Sequence, residues 1–269
     1  RLAELQRRVG RRVLDAIPVH PAAHGYVRGR SPATFAAVHS GREVVARLDV
    51  EGFFTRIGPA RIAGLLRAAG YPDAVAAVLA GLLVTSTPRP VLRRAPGRPG
   101  PGRRRTLDRL ALAHLPQGAP TSPAVANLLA HRLDRRLHGL AGAVGARYAR
   151  YADDLVFSGP AGLPVHGLLA RAARIAAEEG FAVRADKTRV MPAQHRQRVT
   201  GLVVNDGPGV SRRDYDALRA LLHNCARTGP QAQNIEGHPA FREHLLGRIA
   251  WAGTGRPARR ARLAELFAR

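Results

Sequence analysis

The chain has 269 residues, 45% of them hydrophobic, which suffices for one large domain or for a core with small appendages. Its 43 Lys and Arg residues against 19 Asp and Glu leave a formal net charge of +24, an excess that calls for a polyanionic partner, nucleic acid before an anionic membrane surface. One cysteine, Cys225, excludes an intrachain disulfide and a cysteine-cluster zinc site and fits a reducing cytoplasm. No apolar run reaches the roughly 18 residues of a membrane span, and the opening Arg1-Leu2-Ala3-Glu4 does not read as a signal peptide.

In chain order, residues 1–17 carry Leu2, Leu5, Val9, Val13, Leu14 and Ile17 at helical spacing between arginines, and Pro18 and Pro21 end that helix. His24 to Ser31 is a Gly- and Arg-rich loop, and Ser31-Pro32 opens a short helix to His39. Val44 to Val50 reads as a buried strand ending at Asp49. Two helices are expected at 59–70 and 73–84, then a flexible basic loop without periodicity from Thr85 to Arg105. A turn-rich loop, Leu115 to Pro123, opens one helix to about Leu140. A hairpin over 146–158, a helix over 165–179 and short strands at 181–183, 188–191 and 198–205 follow. After Pro208 the pattern turns helical, with helices from Ser211 to about Gly229, near 238–251 and at 257–268.

The chemistry centres on Tyr151-Ala152-Asp153-Asp154. Two adjacent carboxylates between strand-forming residues fit either an exposed turn or a cation site, because each acid raises the cost of ionising the other. Asp49 also ends an apolar strand, so a sheet that joins the two strands makes an all-oxygen pocket suited to Mg²⁺. Two such ions about 3.5–4 Å apart activate an attacking hydroxyl and stabilise a leaving pyrophosphate. Strand alternation makes Asp153 the stronger ligand and Asp154 the weaker or water-mediated one, with Val50 offering a backbone carbonyl. Of the 43 basic residues only Lys187 is a lysine.

These motifs, in this order, resemble those of reverse transcriptases, and among them the retron and retron-like bacterial enzymes. Leu48-Asp49-Val50-Glu51-Gly52-Phe53-Phe54 resembles the motif holding the first catalytic Asp. Gln117-Gly118 with Ser122-Pro123 resembles the nucleotide-pocket motif, Tyr151 to Asp154 the catalytic hairpin, and Val199-Thr200-Gly201 a primer-gripping tripeptide. The resemblance implies an α+β right-hand polymerase: partial fingers at 1–43, a palm at 44–205 with a fingers insertion at about 60–115, and a helical thumb at 206–269. It implies RNA-directed DNA synthesis with Asp49, Asp153 and Asp154 as metal ligands for two Mg²⁺, or Mn²⁺ in their place. Lys187 becomes the proton donor to pyrophosphate, a role that arginine fills poorly because it stays protonated. Phe54 excludes a ribose 2′-hydroxyl, Phe53 being the core member of that pair, and Gln117 contacts nucleotide or template. Arg28 and Arg30 either bind phosphates or are surface arginines.

The implied partners are dNTPs, a structured non-coding RNA serving as template and primer, its cDNA, and an accessory effector protein in phage defence, with no membrane. Two departures stand out. Phe35-Ala36-Ala37-Val38-His39 lacks the Asn that retron enzymes carry there, and the resemblance implies a basic, glycine-bearing fingers hairpin before the first helix, after which the chain is expected to start. Rival readings are a group II intron-like reverse transcriptase and a catalytically weak RNA-binding scaffold.

Overall fold

The computed structural model describes residues 1–96 and 100–268. The first helix, α1 (Leu2–Val9), runs on into a wider π-helical turn over Gly10–Leu14. The short α2 (Pro32–Val38) has a reciprocal cap, Ser31 Oγ accepting from Thr34 N–H while Thr34 Oγ1 accepts from Ser31 N–H. Strand β1 (Val44–Asp49) follows, then α3 (Pro59–Ala68) and α4 (Asp73–Leu83).

The stretch expected as a flexible loop contains two helices, α5 (Arg89–Arg93) and α6 (Pro101–Ala111), each with proline in its first turn. Proline suits that position because its missing N–H has no partner there anyway, and arginine is a good helix former. Apolar periodicity was the wrong guide, since α6 buries no residue fully. Residues 97–99 of that expected loop lie outside the described residues.

The single helix expected after Pro123 is two, α7 (Ser122–Leu129) and α8 (His131–Ala143), which meet at Ala130. Then come β2 (Arg147–Tyr151), β3 (Asp154–Gly159), α9 (Val165–Glu178) and β4 (Arg189–Pro192). Of the strand expected at 181–183, only Val183 pairs, in an isolated bridge to Val50. The expected 198–205 strand is a two-residue-turn hairpin, β5 (Arg198–Val199) and β6 (Leu202–Val203), with Thr200 and Gly201 both at positive φ, the conformation such tight turns demand. Helices α10 (Arg212–Thr228), α11 (Pro230–Gln233), α12 (Phe241–Ala252) and α13 (Pro257–Phe267) complete the chain.

The main sheet is antiparallel, in the order β2-β3-β1-β4, so the fold is α+β as expected. Side chains alternate between its faces. Val44, Ala46, Leu48, Tyr148, Leu155 and Phe157 point into one core, with α3, α4, α7, α8 and α9 over it. Val45, Ala149 and Val156 point the other way, into a second core built with α2, α10, α12 and α13. Burying each large apolar side chain contributes about 1.5–3 kcal/mol, so a sheet covered on both faces is held firmly. On that second face the apolar run stops after Val45, and Arg47 and Asp49 take the next two positions. The helices cover one end of the face and leave its other end for polar groups.

Candidate active site

Three backbone junctions gather the acids. Asp49 is paired directly with Asp154 at the end of the β1–β3 ladder. The β2–β3 turn is Ala152-Asp153, and Val50 N–H donates to the Asp153 carbonyl at 2.9 Å, tying the turn to the end of β1. On the other side, Arg184 N–H donates to the Asp49 carbonyl at 2.8 Å and Glu51 N–H to the Ala182 carbonyl at 2.7 Å. These bonds bring the 3₁₀ turn Ala185–Lys187 alongside, where Lys187 Nζ lies 3.3 Å from Asp49 Oδ2. The hairpin expected from sequence therefore sets Asp49, Asp153 and Lys187 around one cleft.

The acids differ in surroundings. Asp153 has its pKa raised, mainly by burial with the Asp49 charge adding to it, while a backbone hydrogen bond, Lys187 and Arg47 oppose. Asp154 is raised to about 6, again mainly by burial, although Arg47 pulls it down. Arg47 Nε and Nη2 hold Asp154 Oδ1 at 2.8 and 2.7 Å, a pairing that follows from the register, since Arg47 precedes Asp49 by two on the same strand face. Among the described residues no group of three or more His, Cys, Asp or Glu side chains is gathered as a metal centre. The donor set that fits a hard divalent cation is the pair Asp49 and Asp153, two carboxylates in a cleft with an ammonium already drawn to one of them. Asp154 is engaged with Arg47 instead.

A buried polar network stands behind the hairpin. Arg150 is fully buried, and its Nε and Nη2 each donate to Asp134 at 2.8 Å. Its Nη1 donates to Asn127 Oδ1 at 2.9 Å and to the Ala152 carbonyl at 3.1 Å, and the Tyr148 hydroxyl donates to Asp134 at 2.8 Å. Asn127 Nδ2 donates to the Gly25 carbonyl at 2.9 Å. Gly25 is pressed so close to the turn that a Cβ there would lie 2.5 Å from Ala152 N. None of Asp134, Asn127, Arg150 or Gly25 was picked out from sequence. The available signal was an arginine on the Tyr148 face of a buried strand, and an acid one turn before Leu137 on an apolar helix face.

The cleft has a volume of about 1380 Å³. Phe54 lines it half-buried, while Phe53 is core, 3% exposed and stacked on Phe181 at 5.5 Å between ring centroids. Gln117, Ser122 and Val50 line it as well, Val50 with its side chain buried. From α6 come Arg103, Arg105 and Arg109, a contribution that the loop expectation missed. Arg109 and Arg56 both pair with Glu51, at 3.0 and 2.9 Å, and their hydrogen bonds hold its pKa down. Arg28 is exposed and does not line the cleft. Arg30 bonds backward to the carbonyls of Pro21 and Ala23, bracing its own loop.

Comparison with known proteins accords with this picture. The model of the reverse transcriptase (RNA-dependent DNA polymerase) family matches residues 4–204. The chain is 44% identical over 272 residues to the Retron Mx65 reverse transcriptase of Myxococcus xanthus, covering 98% of this chain and 58% of that protein. It is 40% identical to the Retron Mx162 reverse transcriptase of the same organism, covering 89% and 52%. To the Retron Ec86 reverse transcriptase of Escherichia coli it is 28% identical, covering 89% and 68%. The chain thus spans a little over half the length of the two Myxococcus relatives.

Proposed function

Because this chain belongs to the reverse transcriptase family and has its right-hand polymerase fold, we propose that it is an RNA-directed DNA polymerase of retron type, copying a structured RNA by adding dNTPs to a primer hydroxyl. In that reading residues 1–43 and about 60–115 are fingers, the rest of 44–205 is palm, and 206–269 is thumb. The observation that carries the proposal is the convergence of Asp49 and Asp153 on one cleft whose other walls are Phe54, Gln117 and Lys187. The net charge of +24 supports a nucleic-acid partner held through its phosphates.

The roles follow from position. Asp49 and Asp153 would hold divalent cations, which would activate the primer hydroxyl and neutralise the charge of the leaving pyrophosphate. Arg47 keeps the Asp154 carboxylate at the root of the hairpin, so Asp154 acts as the supporting charge. Lys187 Nζ, 49% exposed as a side chain and 3.3 Å from Asp49, donates a proton to the pyrophosphate as it departs. Phe54, which lines the cleft, serves as the aromatic edge that excludes a 2′-hydroxyl, and Gln117, lining the same cleft, contacts the nucleotide. Arg28 meets template phosphate from outside the cleft, and Arg30 secures the loop that carries it.

Extension of a DNA primer annealed to an RNA template, with Mg²⁺ and dNTPs, tests this reading. The expected result is cDNA from dNTPs and little product from ribonucleotides. Tight RNA binding with no extension under any template or metal condition overturns it in favour of an RNA-binding scaffold.

A further inference from the structure

Tyr26 lines the cleft but has no part in the chemistry above. Its φ is +61°, the left-handed region that bulky side chains enter only with strain. The loop imposes that conformation. His24 N–H donates to the Arg150 carbonyl at 2.7 Å, and the Gly25 carbonyl is held by Asn127 at 2.9 Å. Downstream, Arg30 reaches back to Pro21 and Ala23. Both flanks of Tyr26 are thereby fixed, the upstream one by the buried network that holds the Asp153 turn.

The strain is not exchanged for burial. Tyr26 is 58% exposed and lines the cleft, where its ring meets Phe54 edge-on with centroids 6.3 Å apart. Strained residues of this kind persist where surrounding structure over-determines them, and they cluster at ligand-contacting sites. The cleft is lined by charged side chains as well, among them Arg103, Arg105, Arg109, Glu51 and Lys187. The other aromatic residues lining it, Phe53 and His114, are buried, so Tyr26 and Phe54 carry its accessible ring surface.

We infer that Tyr26 is a substrate-contacting residue: its ring stacks on the nucleobase of the incoming nucleotide at the corner with Phe54. Any base suits such a platform, because every base has a π-face. The inference rests on the polymerase reading for the identity of its ligand.

Glycine at this position tests it cleanly, because glycine adopts φ +61° freely and the ring is mostly outside the core. The chain, alone and loaded with an RNA template and a DNA primer lacking its 3′ hydroxyl, is titrated with the complementary dNTP and with inorganic tripolyphosphate. Tyr26→Gly should weaken the dNTP about tenfold, within the range of one lost base–aromatic stack, and leave tripolyphosphate unchanged. Its melting temperature should stay close to wild type, since relief of strain offsets the entropy that glycine adds to the unfolded chain. Tyr26→Phe should bind as wild type does. Any of three results overturns the inference: a wild type that prefers the dNTP no more than tripolyphosphate; equal weakening by Phe and Gly, which assigns the effect to the hydroxyl; or parallel loss of both ligands with a lowered melting temperature, which makes the ring structural. Base-dependent binding without extension from an intact primer refutes the polymerase reading and leaves Tyr26 in place.

Discussion

Replacing Arg150 by methionine removes the centre of the network behind the hairpin. The guanidinium is fully buried and makes two bonds to Asp134, one to Asn127 and one to the Ala152 carbonyl. Arg150→Met leaves the Asp134 carboxylate buried, keeping its hydrogen bond from the Tyr148 hydroxyl but losing both from the guanidinium. Breaking one side of a buried pair costs about 3–5 kcal/mol, a large share of the roughly 5–15 kcal/mol that holds a domain together. For a chain of this size that lowers the melting temperature by roughly 10 °C. Asp134→Leu added to Arg150→Met should recover most of the loss, because an apolar pair of similar volume replaces the ions without stranding a charge. Primer extension should not recover with it, since Asn127 and the Ala152 carbonyl still lack their donor and the turn carrying Asp153 is loosened. Thermal melts paired with single-turnover extension read both quantities. A single variant that loses under about 1 kcal/mol, or a double variant as unstable as the single one, refutes the reasoning.

Gly25→Ala places a methyl 2.5 Å from Ala152 N, so the turn must shift; extension should fall at least tenfold while RNA affinity, read by filter binding, stays within about twofold. Phe54→Ala should raise ribonucleotide incorporation relative to dNTP, measured as the ratio of kcat/KM values, and an unchanged ratio removes Phe54 from the sugar gate. His39 is buried with Nδ1 2.8 Å from Ser158 Oγ, and burial lowers its pKa from 6.5 to about 3. Below pH 6.5 the unfolded chain binds a proton that the folded chain refuses, so stability is lost as pH falls from there toward 3, on the order of 1.4 kcal/mol per unit. His39→Gln should reduce the slope in melts at pH 4 to 6.5; His24, lowered to about 4 by burial, keeps a slope of the same sign over a narrower pH range.

Much of the acid geometry was readable before the fold. An apolar run ending at Asp49 and strand-formers on both sides of Asp153-Asp154 leave few ways to build a sheet except with the acids at one end, and that is the register observed. The ion pair between Arg47 and Asp154 was invisible beforehand because Arg47 looks like any of the chain's other arginines. The same disguise hid Arg150. In a sequence this basic, a buried arginine carries no compositional signal, and only its place on the Tyr148 face of a strand marks it. Helix α6 was missed for a related reason: Pro101 and Gly102 read as breakers, yet at a helix start they are tolerated, and the arginines after them supply propensity without an apolar stripe. The break between α7 and α8 at Ala130 had no local sign, since neither glycine nor proline marks it. Tyr26 sits in a loop whose arginines drew attention away from its ring.

The central claim is that Asp49 and Asp153 form a cation-dependent nucleotidyl-transfer site. Single-turnover extension of a DNA primer on RNA by wild type and by Asp153→Asn, with RNA affinity measured on the same preparations, tests it most directly. The account predicts Mg²⁺-dependent extension by wild type and a loss of at least a thousandfold in the variant, about 4 kcal/mol of transition-state stabilisation, with RNA affinity unchanged. Extension that persists in Asp153→Asn at a comparable rate would contradict it.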